Sequence, residues 1–238
     1  MHAPNRLRIH IVAAAVAALL AAGSVQAQGL WRPGDTASTR FRLTLFEPNG
    51  SSEAWDALYA GFSGSPSDLS DLGFGLDFRW MLGRNSGIQF GFSFSEGSST
   101  SEYTEWVAGD GTAIRHQKSL ELADLTVLWV LRPGDGRAVS PYLGIGGGFL
   151  WYELSEAGDF IDFGSADLPI VRTGYFGDGT TFELLGVVGL DVRLAGGWSF
   201  LAEGRWREAE DDLGGDYGGY GKLDLSGWEL SAGFAFNF

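Results

Sequence analysis

The sequence is short of several residue types, and each shortage excludes a class of function. It contains no cysteine, which excludes disulfide frameworks and thiolate metal sites. Of its three histidines, only His116 lies beyond residue 10, so a histidine-based metal centre is not expected either. Basic residues are scarce, with 16 Lys and Arg against 30 Asp and Glu, for a net charge of −14. Such a chain repels phosphate, so we expect no nucleic-acid partner, and we also expect no metal and no cofactor.

Long apolar runs are absent except at the N-terminus. There, Arg6 and Arg8 precede the stretch IHIVAAAVAALLAAG, and the small residues Val25 and Ala27 follow it. A basic segment, an apolar segment shorter than the ~20 residues of a spanning helix, and a small-residue site together predict a secretory signal peptide. We expect residues 1–27 to be this signal peptide, cleaved after Ala27, and residues 28–238 to form the exported domain.

What the chain does have is glycine and aromatic residues in a repeated pattern. It contains 37 Gly, 17 Phe and 9 Trp. From Thr36 onwards, runs such as DLGFGLDFRWML and GIQFGFSFSE alternate apolar side chains with polar or small ones. Successive side chains of a strand point to opposite faces, so each run predicts a β-strand with one apolar face. The last run, GWELSAGFAFNF, keeps this pattern up to Phe238.

About eight such runs are joined alternately by short turns and longer polar segments. The short links are GRNS, RPGDGR and AGG, and the longer ones cover residues 48–68, 96–118, 154–179 and 208–221. Two of the longer segments, around EAWDALYAGF and DLPIVRTGYF, alternate briefly as well, so ten strands are an alternative. Short turns at one end and long loops at the other are typical of an all-β fold, the transmembrane antiparallel up-and-down β-barrel.

Periodicity alone does not say which face is inside, because a lipocalin-like barrel or an open antiparallel sheet alternates in the same way. The polar face decides the question, since it carries mid-strand charges of both signs that need to pair in a narrow interior. Tryptophans near both strand ends also match the two interfaces of a bilayer. The expected interior network consists of Arg40, Arg42, Asp77, Arg79, Asp191, Arg193, Glu203 and Arg205. These residues either fill the bore or line a small pore.

The C-terminal strand carries a motif of a known family. Ser231, Gly233, Phe236 and Phe238 match the β-signal, which is a polar residue, glycine and two aromatic residues in fixed spacing at the end of the chain. With the strand pattern, this makes the chain resemble the small Gram-negative outer-membrane β-barrels of the OmpA/OmpX or opacity-type porin family. The resemblance implies assembly by the barrel assembly machinery. It also implies an outer-membrane location among lipid and lipopolysaccharide, and a monomeric state.

Three segments suggest chemistry, but we interpret each of them as structural. GIGGGF lacks the lysine of a phosphate-binding loop and lies within a strand pattern. His116 and Ser119 are three residues apart, which places them on opposite faces of a strand and separates them as a catalytic pair. The acidic segment REAEDDLGGDYGGYG matches no calcium-loop spacing.

We therefore expect a protein that is not an enzyme. Its expected role is structural, or the binding of an extracellular ligand or surface through acidic loops. A narrow passive channel for small solutes is the alternative. A lipid-modifying hydrolase at the barrel rim ranks third.

Overall fold

The computed structural model describes residues 37–133, 138–195 and 197–238. The predicted signal peptide, residues 1–27, lies outside these ranges, as does part of the RPGDGR turn. Within the part of the chain that the structure describes, no helix is both long and apolar enough to cross a membrane.

Eight antiparallel strands form a closed barrel, which confirms the predicted fold class and strand count. Together with two short strands outside the barrel, the strands in chain order are β1 Ala37–Pro48, β2 Asp71–Met81, β3 Ser86–Val107, β4 Ala113–Leu131, β5 Val139–Ile161, β6 Ile170–Arg193, β7 Trp198–Glu208, β8 Glu210–Asp212, β9 Lys222–Asp224 and β10 Gly227–Asn237. The two short strands, β8 and β9, pair with each other outside the barrel. Each barrel strand pairs with its neighbours in sequence, and β10 pairs with β1 to complete the ring.

The seam between the first and last strands explains why the chain keeps its strand pattern to the final residue. Phe41 of β1 lies opposite Phe234 of β10. Ala37 and Phe238 exchange two backbone hydrogen bonds, each 2.9 Å long. An open sheet edge in hydrocarbon would leave backbone groups unsatisfied at a cost of several kcal/mol each, so an ordered last strand is required for closure.

The apolar face of each strand points outward. Ile145 is 70% exposed and Trp129 is 62% exposed, whereas Arg42 and Gln89 are fully buried inside. Strand β4 has apolar residues on both faces, so its sequence did not show which face points inward. The structure settles this, because Leu128 and Val130 point inward. Large apolar side chains displayed on the outside of a closed barrel, around a polar interior, are the arrangement that a bilayer selects.

The barrel is taller on one side than on the other. Strands β3 to β6 contain 19 to 24 residues, whereas β1, β2, β7 and β10 contain 11 or 12. Since about 9 to 11 residues cross a bilayer, the ends of β3 to β6 form a sheet that protrudes beyond it. The prediction that residues 96–118 and 154–179 are loops was therefore wrong, because these residues are mostly strand. Their polar residues on both faces reflect strands that have left the membrane.

The other two long connections contain short helices and the small hairpin. The segment EAWDALYAGF, considered as an extra strand, forms helix α1, Glu53–Tyr59, with the Ser52 hydroxyl accepting the Trp55 N–H at its start. Residues Pro66–Leu69 and Gly215–Tyr217 form single 3₁₀ turns. DLPIVRTGYF becomes the start of β6, so the barrel keeps eight strands.

Candidate functional site: a filled lumen and a protruding sheet

The centre of the lumen is occupied by two arginines that share one carboxylate. The Arg42 Nε donates to Asp77 Oδ2 at 3.0 Å, and Arg205 Nη2 lies 3.4 Å from the same carboxylate. Arg42 also pairs with Glu229, and Arg205 pairs with Glu203. The partners lie on the same strand, on neighbouring strands and across the bore, so each of these charges removed from water meets an opposite charge.

A second part of the network lies nearer the short turns and is organised by Tyr142. The Arg40 guanidinium donates to the Tyr142 hydroxyl at 2.7 Å, and this hydroxyl donates to Glu203. The Arg79 guanidinium lies 4.0 Å from the centre of the Tyr142 ring. Arg40 and Arg79 both pair with Asp191, at 3.0 and 3.2 Å. The two guanidinium groups therefore share the Asp191 carboxylate and the π surface of the Tyr142 ring.

A third part, nearer the long loops, is centred on Arg207. Its guanidinium pairs with Glu183 at 2.6 Å and with Asp124 at 2.5 Å. Five arginines and six carboxylates thus share the lumen, so the two signs nearly balance: Arg40, Arg42, Arg79, Arg205, Arg207, Asp77, Asp124, Glu183, Asp191, Glu203 and Glu229.

Seven of the eight predicted network residues lie inside the barrel, but Arg193 does not. It is the last residue of β6, at the short-turn end, and its side chain is exposed. Its predicted place in the network was therefore wrong, because the alternation of side chains between the two faces continues along β6 past the point where the lumen ends. The predicted network missed five residues, although each alternates in phase with the inward positions of its strand: Asp124, Tyr142, Glu183, Arg207 and Glu229.

An apolar plug closes the lumen on the long-loop side. Helix α1 places Trp55, 1% exposed, and Leu58 against the inner faces of β4 and β5. The Trp55 indole N–H donates to the Asp224 carbonyl at 2.7 Å, which ties the helix to β9. The remaining members of the plug are Phe46, Ala54, Leu69, Leu120, Leu122, Leu150, Tyr152, Leu154, Ala209, Leu213, Tyr217, Leu223 and Leu225. A dry apolar layer therefore lies above the charged one.

Three titratable side chains meet inside the protruding sheet. The Lys118 ammonium donates to the carbonyl of Leu58, near the end of α1, and to Glu156 Oε1, both at 2.7 Å. His116 Nε2 lies 3.5 Å from Glu156 Oε2, and its ring stacks on Phe160. Burial and the Lys118 ammonium lower the pKa of His116 to about 4, and burial raises the pKa of Glu156. Lys118 therefore anchors α1, and His116 is held neutral.

These positions also answer the question of a catalytic pair at the rim. His116 is buried on the inner face of β4, and neither ring nitrogen has a hydrogen-bond partner among residues 37–133, 138–195 and 197–238. Ser119 lies on the other face of the same strand, three residues away. His116 and Ser119 thus point to opposite faces of β4, so they do not form the hydroxyl–imidazole pair that an acyl hydrolase uses.

The acidic segment after β7 is built into the structure. Glu210 pairs with Lys222 at 3.3 Å across the β8–β9 hairpin. Asp211 accepts a hydrogen bond from the Tyr152 hydroxyl at 3.0 Å, and Asp216 accepts one from the Phe176 N–H at 2.9 Å. Because that N–H belongs to the outer edge of β6, the segment covers part of an edge that would otherwise pair with another chain.

The opposite edge of the protruding sheet is covered in the same way. Ser63 N–H donates to the Glu102 carbonyl at 2.8 Å, and Thr104 N–H donates to the Gly61 carbonyl at 3.0 Å.

The tip of the sheet, in contrast, displays large apolar side chains, with Trp106 lying against Phe163 at 5.8 Å between ring centres. Ile170 and Val171 are 44% and 39% exposed beside them. A cluster of this kind on a stiff sheet is a candidate contact surface.

The glycines of GIGGGF have a steric role. A Cβ on Gly146 would lie 2.0 Å from the Val127 carbonyl oxygen, and a Cβ on Gly148 would lie 2.0 Å from that of Leu125. Glycine at these inward positions lets β5 approach β4 closely. The segment lies wholly within β5 and is part of the barrel wall.

The β-signal residues lie on both faces of β10. Ser231 is buried and points inward, whereas Phe236 and Phe238 are 42% and 41% exposed. A Cβ on Gly233 would lie 2.0 Å from the Phe41 carbonyl oxygen of β1. Glycine at this position therefore keeps the seam close.

Comparison with solved structures agrees with this architecture. OprG from Pseudomonas aeruginosa, an outer membrane protein, superimposes with a TM-score of 0.52 at 17% identity, over 86% of this chain and 96% of that one. The chain has the fold of the small Gram-negative outer-membrane β-barrels. Neisserial surface protein A matches with a TM-score of 0.49 at 12% identity, over 86% of this chain and 97% of that one. No protein-family model and no curated protein matches the chain. Identities this low show the fold and nothing more specific.

Proposed function

We propose that the protein is a closed, non-conducting outer-membrane barrel that stabilises the membrane and presents a stiff surface for contact outside it. The filled lumen carries this proposal. Arg42, Arg205 and their carboxylates occupy the middle of the bore, and the Trp55 plug covers it. An eight-stranded barrel is just wide enough for side chains to fill, so a network of this size supports a closed bore.

The contact surface is the protruding sheet with its acidic surroundings. Residues of β3 to β6 continue beyond the membrane, and the loops beside them cover both sheet edges. The exposed tip around Trp106, Phe163 and Ile170 combines apolar area with neighbouring carboxylates such as Asp159 and Asp162. Aromatic side chains on a rigid support bind at a low entropy cost, so this tip is suited to an apolar or basic partner surface.

The remaining partners follow from the membrane placement. Lipid and lipopolysaccharide surround the exposed apolar belt. The barrel assembly machinery recognises Ser231, Gly233, Phe236 and Phe238. A monomer suffices because closure at β1 and β10 leaves no unpaired edge within the membrane. Residues 1–27 direct export and are then removed, so the working domain is residues 28–238, in the outer membrane.

Conductance across a planar bilayer tests the closed state. We expect the refolded protein to give no reproducible single-channel steps over a wide range of voltage and salt. Steps that recur between preparations, and whose size changes in Arg79→Ala or Glu203→Ala, would establish the channel alternative instead.

A cell-adhesion assay tests the contact surface. Cells that display a variant with Trp106, Phe163 and Ile170 changed to serine should adhere to a cell monolayer several-fold less than cells that display the wild type. Surface protein levels must be equal in the two strains. Equal adhesion would remove the tip from the proposal. Altered acyl chains in lipid A from overexpressing cells would instead support the hydrolase.

A further inference from the structure

Lysine is rare in this chain, and one of its lysines is buried. Of the 16 Lys and Arg residues, only Lys118 and Lys222 are lysines. The five cations of the lumen are all arginines, whereas Lys118 is 1% exposed inside the protruding sheet. Arginine keeps its charge in proteins, but a buried lysine loses its proton readily and then becomes a nucleophilic amine. The choice of lysine at this buried position therefore suggests a role for its amine.

The Lys118 amine is held against one carboxylate. Lys118 of β4 lies directly opposite Glu156 of β5 in the strand register. Its ammonium donates to Glu156 Oε1 and to the Leu58 carbonyl oxygen, both at 2.7 Å. An amide between Nζ and the Glu156 side chain would keep one N–H, and the Leu58 carbonyl oxygen could still accept it. The two contacts thus fit the joined pair as well as the separate one.

The surroundings of this pair are apolar and dry. The Lys118 and Glu156 side chains are 1% and 6% exposed. Lys118 Nζ lies 4.9 Å from the centre of the Tyr59 ring and 4.8 Å from that of Phe62. Burial lowers the pKa of Lys118 and raises the pKa of Glu156, so both groups shift towards their neutral forms. A neutral amine and a neutral carboxylic acid are the forms that condense to an amide, and a dry site slows hydrolysis of the product.

His116 lies beside the other oxygen of the same carboxylate. Its Nε2 is 3.5 Å from Glu156 Oε2, and neither ring nitrogen has a hydrogen-bond partner within the described part of the chain. Burial and the Lys118 ammonium lower the pKa of His116 to about 4, so its ring is neutral at physiological pH. A neutral imidazole has one nitrogen that donates and one that accepts, so it is suited to moving a proton to Oε2.

We propose that Lys118 and Glu156 form an intramolecular isopeptide bond that joins β4 to β5. One of the three ammonium protons passes to the carboxylate, which gives a neutral amine and a neutral acid. The Nζ lone pair then attacks Glu156 Cδ, and His116 moves a second proton to Oε2. The Nζ–Cδ bond forms and the Cδ–Oε2 bond breaks. Water leaves with these two protons, and the third proton stays on the amide, so the step uses no co-reactant.

A covalent bond at this position suits the protruding sheet. Exported proteins commonly secure such structures with disulfides, but this chain contains no cysteine. The two joined residues are 38 positions apart, and the bond would link the β3–β4 hairpin to the β5–β6 hairpin. A cross-link of this kind restricts the unfolded chain and so stabilises the folded sheet. The inference goes beyond the proposed function, and it depends neither on the closed lumen nor on adhesion.

Intact-mass spectrometry measures the bond directly. The full-length mature protein is prepared as a denatured chain, refolded in detergent and sampled over time, with folding verified by the band shift between unheated and heated samples. We expect the denatured chain to have the mass of its sequence and the refolded chain to be lighter by one water molecule. Tandem mass spectrometry should find the peptide that contains Lys118 joined to the one that contains Glu156. A refolded wild type that keeps its full mass would overturn the proposal.

Variants assign the reaction to its residues. Lys118→Arg keeps the cation but removes the nucleophile, so it should keep its full mass. Lys222→Arg is the matched control, because Lys222 pairs with Glu210 at an exposed position, and it should lose water as the wild type does. His116→Phe should lose water about a hundredfold more slowly, which is the lower end of the usual gain from general acid–base catalysis. An equal rate in His116→Phe would overturn the assignment of His116 to the step.

A competing reaction is distinguished by its chemistry. Asp-Gly pairs such as Asp110 and Gly111 also lose water when they form a succinimide, and this ring reopens at mildly alkaline pH. The isopeptide bond should persist at that pH and after boiling. A loss of water that remains in Lys118→Arg, or that is reversed at mildly alkaline pH, would identify a succinimide and overturn the isopeptide bond.

Discussion

Replacing Arg205 with methionine should destabilise the barrel far more than the loss of a single surface charge. The Arg205 side chain is buried, and it contacts Glu203, Asp77 at 3.4 Å and Glu229 at 3.8 Å. Methionine fills much of the same volume but removes the positive charge that pairs with these carboxylates. Removing one partner from a buried ion pair costs about 3–5 kcal/mol, so we expect an effect of this size.

Urea unfolding of the protein in phospholipid vesicles, followed by tryptophan fluorescence, measures this loss. The matched control is Arg193→Met, because Arg193 is exposed and lies outside the network. A surface change of this kind should stay within about 0.5 kcal/mol of the wild type. If Arg205→Met unfolds at the same urea concentration as Arg193→Met, the lumen charges do not depend on one another as the structure indicates.

A double variant tests the physical reason. Adding Glu203→Gln to Arg205→Met neutralises one of the stranded carboxylates, so the double variant should be more stable than Arg205→Met alone. Substitutions within one network do not have additive effects on the free energy of unfolding, so the sign of the coupling energy between the two substitutions is the informative quantity. A double variant less stable than Arg205→Met would show that lost packing, and not unpaired charge, is responsible.

Three further predictions concern the seam, the protruding sheet and the plug. Gly233→Ala should lower the refolding yield in detergent because its Cβ meets the Phe41 carbonyl oxygen, whereas Gly186→Ala, with no atom within 4 Å, should refold normally. Wild-type stability should fall relative to His116→Phe as the pH drops from about 6.5 to about 4 in urea titrations, because only the unfolded chain binds the proton of His116 there. Equal pH profiles would contradict the burial of a neutral His116. Trp55→Ala should destabilise the plug by about 3–5 kcal/mol, and it should speed protease cleavage of residues 49–70. An unchanged cleavage rate would exclude the plug as a closing element.

The strand pattern could be predicted because a barrel wall is a local, period-two structure. Val127 and Trp129 alternate with Leu128 and Val130, and only the closed barrel decided which pair points outward. Helix α1 was not predicted as a helix, since seven residues around Trp55 carry too few turns for a clear helical period. Its position depends on contacts with β9 and on Lys118, which are distant in sequence.

The lumen network could be predicted in part of its membership but not in its pairing. Alternation placed Arg40 and Asp77 on the polar face, and strand register sets them opposite each other. The Asp77 carboxylate nevertheless pairs with Arg42, two residues further along β1, and with Arg205 across the bore. Contacts across the seam are harder still to predict, because Glu47 and Trp228 become neighbours only when the first and last strands close the ring.

The sequence by itself determined the alternating strands, the outward apolar face and the need for closure, because these follow from alternating side chains and from unpaired backbone groups in lipid. Only the tertiary structure decided how the interior charges pair and that two predicted loops are a protruding sheet. Each of these depends on residues far apart in the chain that strand register and loop packing bring together.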